Sequence, residues 1–115
     1  MDYTEREKEV YKLIENLQNN FVSAKDKEKI AKIVDSLKDN TDKQKLRFKT
    51  FYHLLPNLPV CYTMGAYAKL ESCNVNAIKS SISRVRNRLI NRSTIEDISC
   101  IREINKKIEK QKEVK

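Results

Sequence analysis

Residues 74–91 read Asn74-Val75-Asn76-Ala77-Ile78-Lys79-Ser80-Ser81-Ile82-Ser83-Arg84-Val85-Arg86-Asn87-Arg88-Leu89-Ile90-Asn91. On a wheel of about 100° per residue, Ile78, Ile82, Val85 and Leu89 fall within roughly 60° of one another, the apolar stripe of an amphipathic helix. The opposite side collects Asn76, Lys79, Ser80, Ser83, Arg84 and Asn87, with Arg86 and Arg88 on its flanks. From Ser72 to Ile95 there is no acidic residue. An ordinary surface helix mixes both signs of charge, so a face of amides, hydroxyls and cations calls for a polyanionic partner. Asn can bond adenine bidentately, Lys and Arg can reach guanine O6/N7 or phosphate, and Ser lets a helix approach a groove closely.

Outward from this stretch the chain reads as helices throughout. Val10, Ile14, Leu17 and Phe21 recur at helical spacing, and so do Ile30, Ile33, Val34 and Leu37; these predict helices over about 4–20 and 26–39. Thr41-Asp-Lys-Gln44 has the form of a capping box and starts a third helix to about Leu54, with apolar positions Leu46, Phe51 and Leu55 and with Phe48 and Tyr52 beside them. Pro56 and Pro59 stop it, because proline lacks an N–H and clashes with the preceding turn, leaving residues 55–62 as a loop. Thr63 caps a short helix to about Glu71, Asn74 caps the next, and Ser93-Thr-Ile-Glu96 forms a second capping box before a last helix. The expected fold is all-α, a small domain of about six helices. It divides into an N-terminal helix pair over 1–40, a central segment over 41–92, and a C-terminal helix with a frayed tail over 93–115.

Composition supports that class. Of the 115 residues 39% are hydrophobic and 35% charged, with one Gly and no Trp, which favours solvated helices around a modest core over a sheet with many tight turns. The formal charge of +8 is concentrated in one place: residues 1–40 hold 8 Lys/Arg against 9 Asp/Glu, residues 93–115 hold 6 against 5, and residues 41–92 hold 10 against 2. A charge run is usually a solvated face, but a basic segment between nearly neutral flanks is the electrostatic footprint expected of a polyanion site.

Residues 62–89 also resemble region 4.2 of sigma-70-type factors, and of the small phage and firmicute regulators built on it. Thr63, Ala68, Ser72, Cys73, Asn74, Ala77, Ile78, Ile82, Arg84, Val85 and Leu89 fall in register with that pattern, and Thr41-Asp-Lys-Gln-Lys-Leu-Arg-Phe48 is similar to the start of region 4.1. Ala66 stands where the family usually carries an acidic residue, and residues 56–62 are longer than its usual linker. The resemblance implies a helix-turn-helix in which the helix after Asn74 enters the major groove of duplex DNA while Thr63 and Lys69 on the supporting helix meet phosphates. The DNA-binding residues it points to are Thr63, Lys69, Asn74, Asn76, Lys79, Ser80, Ser83, Arg84, Arg86 and Arg88. The implied function is a transcription regulator without the promoter-melting part of a full sigma factor. A second function class stays open: a protein-interaction module that binds RNA polymerase or imitates its contacts, as a sigma partner, an anti-sigma factor or a phage-type inhibitor.

Other classes are disfavoured. The only histidine, His53, lies on an aromatic helix and suits packing better than catalysis, and Ser80, Ser81 and Ser83 have no activating base or carboxylate pair near them in sequence. No enzyme activity and no cofactor are expected. Cys61, Cys73 and Cys100 lack paired C-x-x-C spacing, so they read as buried or idle thiols with no metal. No apolar run approaches the ~20 residues of a membrane span, and Met1 to Tyr11 is too charged for a secretory signal, so a cytoplasmic protein is expected. Ile98, Ile101, Ile104 and Ile108 form a stripe on the last helix that either folds back on the domain or joins a second copy as a homodimer.

Overall fold

The computed structural model of the chain describes residues 3–55 and 63–113. Those residues form six helices and no strand: α1 (Tyr3–Gln18), α2 (Ala24–Asp35), α3 (Asp42–Phe51), α4 (Met64–Leu70), α5 (Val75–Arg92) and α6 (Ile95–Glu113). Among them, no helix is long and apolar enough to cross a membrane. The loop expected over residues 55–62 lies, apart from Leu55, outside the described residues, as does Cys61.

Helix α5 is the centre of the arrangement. It packs against α3, α4 and α1, while α1 lies along α6 and α2 bridges α3 and α6. Ile78, Val85 and Leu89 are fully buried and Ile82 is 3% exposed, so the stripe read from the wheel is the face that α5 turns to the core. Phe48 of α3 and Tyr67 of α4 are the largest side chains buried with it.

Side-chain caps set the helix starts. Ser23 accepts from the Asp26 amide, Thr41 and Gln44 complete the expected capping box, Thr63 accepts from Ala66 N–H at 3.0 Å, and Asn74 accepts from Ala77 N–H at 2.9 Å. The box expected from Ser93 forms one residue later: Thr94 Oγ1 accepts from the Asp97 amide at 3.0 Å, and Asp97 reaches back to Thr94 N–H at 3.4 Å. Ser93 is occupied elsewhere, its hydroxyl donating to the Leu89 carbonyl one turn back in α5. A serine that back-bonds to its own helix is not free to cap the next.

Three helices end on a residue in the left-handed region that is not glycine: Asn20 (φ 57°), His53 (φ 55°) and Ser72 (φ 56°). Each closes a Schellman motif. After α3, Leu54 N–H bonds Lys49 O at 2.9 Å and His53 N–H bonds Thr50 O at 3.2 Å; after α4, Cys73 N–H bonds Ala68 O at 3.0 Å and Ser72 N–H bonds Lys69 O at 3.2 Å. These closures end α1, at Gln18, and α3, at Phe51, two or three residues before the expected boundaries. Helix α2 also stops early, at Asp35, where the Ser36 hydroxyl donates to Ile33 O at 2.6 Å and the chain turns to bury Leu37.

Two expected core positions are corrected. Phe21 is 47% exposed, with the Lys112 ammonium 4.6 Å from its ring centroid, and Val22 takes the core place. Of the apolar positions expected for this segment, Phe48 of α3 and its C-cap Tyr52 are buried, not Leu46, which is 44% exposed; Phe51 and Leu55 are half-buried and lean on the edge of the core. Sequence periodicity could not choose because α3 has apolar residues on two sides, and packing against α5 selects the larger aromatic pair.

The isoleucine stripe of α6 folds back. Ile98, Ile101, Ile104 and Ile108 are all at most 5% exposed, so of the two alternatives the stripe takes the fold-back one and is spent within the chain, leaving no exposed isoleucine surface there for a second copy. A buried polar contact fixes the register of α6 on α1: Asn16 Nδ2 donates to Asn105 Oδ1 at 3.1 Å, and Asn105 Nδ2 donates to Glu9 O and Glu9 Oε2 at 3.0 and 2.9 Å. Arg6 of α1 donates to Ser93 O at 2.8 Å and Ile90 O at 3.3 Å, satisfying carbonyls at the C-terminal end of α5.

Candidate nucleic-acid interface

Helix α4, the four residues Glu71–Asn74, and α5 present the residues singled out by sequence. Tyr67 and Ala68 anchor α4 in the core and leave Lys69 exposed at its outer side. The left-handed Ser72 reverses the chain, and Asn74 restarts it as α5.

The angle of this turn is held by a polar cluster that sequence reasoning did not find. Arg47 of α3 is 8% exposed; its Nε donates to Glu71 Oε2 at 2.9 Å, and its Nη1 donates to Ser81 Oγ at 3.0 Å and to Ala77 O at 3.4 Å. The Tyr67 hydroxyl donates to the other Glu71 oxygen at 2.7 Å, and Ser81 donates to Ala77 O at 3.1 Å. One guanidinium thus ties α3, the turn and the first two turns of α5 together, with each of its bonds assisted by charge. Burial pushes the Tyr67 hydroxyl up to about 12, a hydrogen bond from Thr50 opposing and the Glu71 carboxylate adding to the rise. The available signal was weak: Arg47 is one cation among many in a basic segment, and Glu71 is one of only two acids between residues 41 and 92.

With α5 so held, Asn76, Lys79, Ser80, Arg84 and Asn87 are exposed together on one face, and Ser83 is half-buried at its edge. Among the described residues, Lys69, Lys79 and Arg84 make no ion pair, so their charge is available to a ligand. Thr63 and Asn74 are exposed, but their oxygens accept from backbone N–H groups as caps. What they offer outward is the Thr63 O–H and the Asn74 amide N–H.

Two expected residues lie apart from this face and are engaged within the chain. Arg86 is half-buried with its guanidinium 5.3 Å from the centroid of the Tyr11 ring, a cation–π contact to α1. Arg88 pairs with Asp39 of the α2–α3 connection at 3.4 Å, and Arg92, which the sequence reading did not single out, approaches the same carboxylate oxygen at 3.9 Å.

His53 is half-buried at the end of α3, Cys73 and Cys100 are half-buried free thiols, and among the described residues no group of three or more His, Cys, Asp or Glu is placed to hold a metal. Comparison of the chain with known protein families, curated proteins and solved structures finds no match.

Proposed function

We propose that this chain is a DNA-binding transcription regulator in which α4 and α5 act as a helix-turn-helix of the sigma region 4 kind, α5 lying in the major groove. The observation that carries the reading is the outer face of α5. It is exposed, free of acidic residues and lined by Asn76, Lys79, Ser80, Arg84 and Asn87, while the opposite face is wholly buried. Amide and cationic side chains on a rigid helix match base edges in the major groove, and Lys69 and Thr63 supply phosphate contacts from the supporting helix. The Arg47 cluster supports the same reading, because base readout needs a helix whose angle does not drift.

Selection of bound duplexes from a random library, with and without RNA polymerase, tests it. The expected result is an enriched site that weakens steeply with salt, log affinity falling by about 0.9 per phosphate contact for each tenfold rise in salt. Lys79→Ala should lower affinity and relax preference at one base pair, at about 1–3 kcal/mol per lost contact, with unchanged melting. Enrichment only in the presence of polymerase, unaffected by Lys79→Ala, would replace this reading with that of a polymerase-binding module.

A further inference from the structure

The C-terminal end of α5 carries two charges, Arg88 and Arg92, that the groove-facing reading does not use. Arg84, Arg88 and Arg92 are spaced four apart and so line one edge of the helix. Asp39, half-exposed on the α2–α3 connection, faces two of them through a single oxygen, at 3.4 Å from Arg88 Nη1 and 3.9 Å from Arg92 Nε. Lys38 lines the notch beside Asp39 and Arg92, together with Ser36, Thr94 and Asp97. The Asp97 carboxylate caps α6 through the Thr94 amide, which leaves Asp39 as the carboxylate matched to the arginines.

Both contacts to Asp39 are longer than a good charge-assisted hydrogen bond, which runs about 2.7–2.9 Å, and Arg92 and Asp39 are more than half exposed. Such exposed, long pairs contribute little, so a polyanion that releases counterions on binding can displace the carboxylate. We propose that Lys38, Arg88 and Arg92 form a backbone-phosphate site for duplex DNA, and that Asp39 occupies its guanidiniums in the free protein until a phosphate takes its place. This inference rests on the DNA-binding reading and extends it: one strand leaves the edge of α5 across the α2–α3 connection, and Asp39 lowers affinity for all sequences alike.

The test measures anisotropy of a labelled random-sequence duplex across a KCl series for wild type, Asp39→Asn, Arg92→Gln and Glu28→Gln. Glu28 is exposed on α2, so its variant makes the same charge change away from the site. Asp39→Asn is expected to bind about 3- to 10-fold tighter at low salt, with a slope steeper by up to about 0.9, and Glu28→Gln to stay within about twofold of wild type. Arg92→Gln, at a largely exposed position that the fold does not need, should flatten the slope by about 0.9. The proposal is overturned if Asp39→Asn and Glu28→Gln shift binding equally, if Asp39→Asn binds no tighter, or if Arg92→Gln keeps the wild-type slope. Those outcomes leave the function standing as long as wild type binds with a salt slope; absence of any salt-dependent binding by wild type removes both.

Discussion

Removing the Glu71 carboxylate should damage this protein more than removing the arginine it holds. The Arg47 side chain is 10% exposed and that of Glu71 25% exposed. In Glu71→Gln the guanidinium keeps its bonds to Ser81 and Ala77 but loses its counter-charge in a place water hardly reaches. Breaking a buried pair from that side costs about 3–5 kcal/mol, and partial solvation of Glu71 puts the value near the lower end. In Arg47→Met the carboxylate left behind is a quarter exposed, still accepts from Tyr67, and can take water, while Ser81 keeps Ala77 O. About 2 kcal/mol is then expected, the worth of one charge-assisted hydrogen bond. The double variant buries no unpaired charge and should cost about 2–3 kcal/mol, well short of additivity. Urea unfolding followed by far-ultraviolet circular dichroism yields all three values, and the Glu71→Gln midpoint temperature should fall by roughly 10–20 °C. A Glu71→Gln protein as stable as wild type, or a double variant that equals the sum of the singles, would refute the argument that this pair clamps the turn.

Further outcomes are expected from the same packing. Ile82→Ala, at a 3% exposed position of α5, should cost about 2–5 kcal/mol through a core cavity, read by the same urea titration; a normal midpoint would mean that the faces of α5 are reversed. Ser72→Gly should raise stability by up to about 1 kcal/mol, because glycine adopts the φ of 56° without the left-handed penalty of about 1–2 kcal/mol, less its greater chain entropy. Alkaline stability should depend on Tyr67: an unfolded tyrosine ionises near 10.0 and the buried one at about 12, so its contribution is complete below pH 10 and is lost as pH rises to about 12. Tyr67→Phe should flatten the decline of the urea midpoint across that window, and an unchanged decline would show that Tyr67 is not the group responsible. Chelators should leave melting and DNA binding unchanged, and a shifted melting curve in EDTA would reveal a metal site.

Local chemistry was legible in the chain because it repeats at helical spacing. The apolar stripe of α5 and its acid-free outer face come from side-chain identity and a period of 3.6 alone, and Thr41, Thr63 and Asn74 announce helix starts because capping is a contact between near neighbours in sequence. Helix ends were less visible. The usual signal is glycine, and here Asn20, His53 and Ser72 take the left-handed position instead; burial of Val22 and Leu54 just beyond the first two holds the chain in that reversal.

Contacts between distant residues were decided only in three dimensions. The spacing of the isoleucines of α6 does not say whether they meet α1 or a second copy; they are buried within the chain, where the Asn16–Asn105 bond, 89 residues apart in sequence, joins α6 to α1. The sorting of cations is of the same kind. By sequence Lys79 and Arg84 on the outer face of α5 and Arg86 and Arg88 on its flanks all read as DNA contacts, yet Arg86 stacks on Tyr11, Arg88 meets Asp39, and Lys79 and Arg84 remain open. A helical wheel gives the direction in which a side chain leaves its own helix. What waits there is set by the packing of the other five.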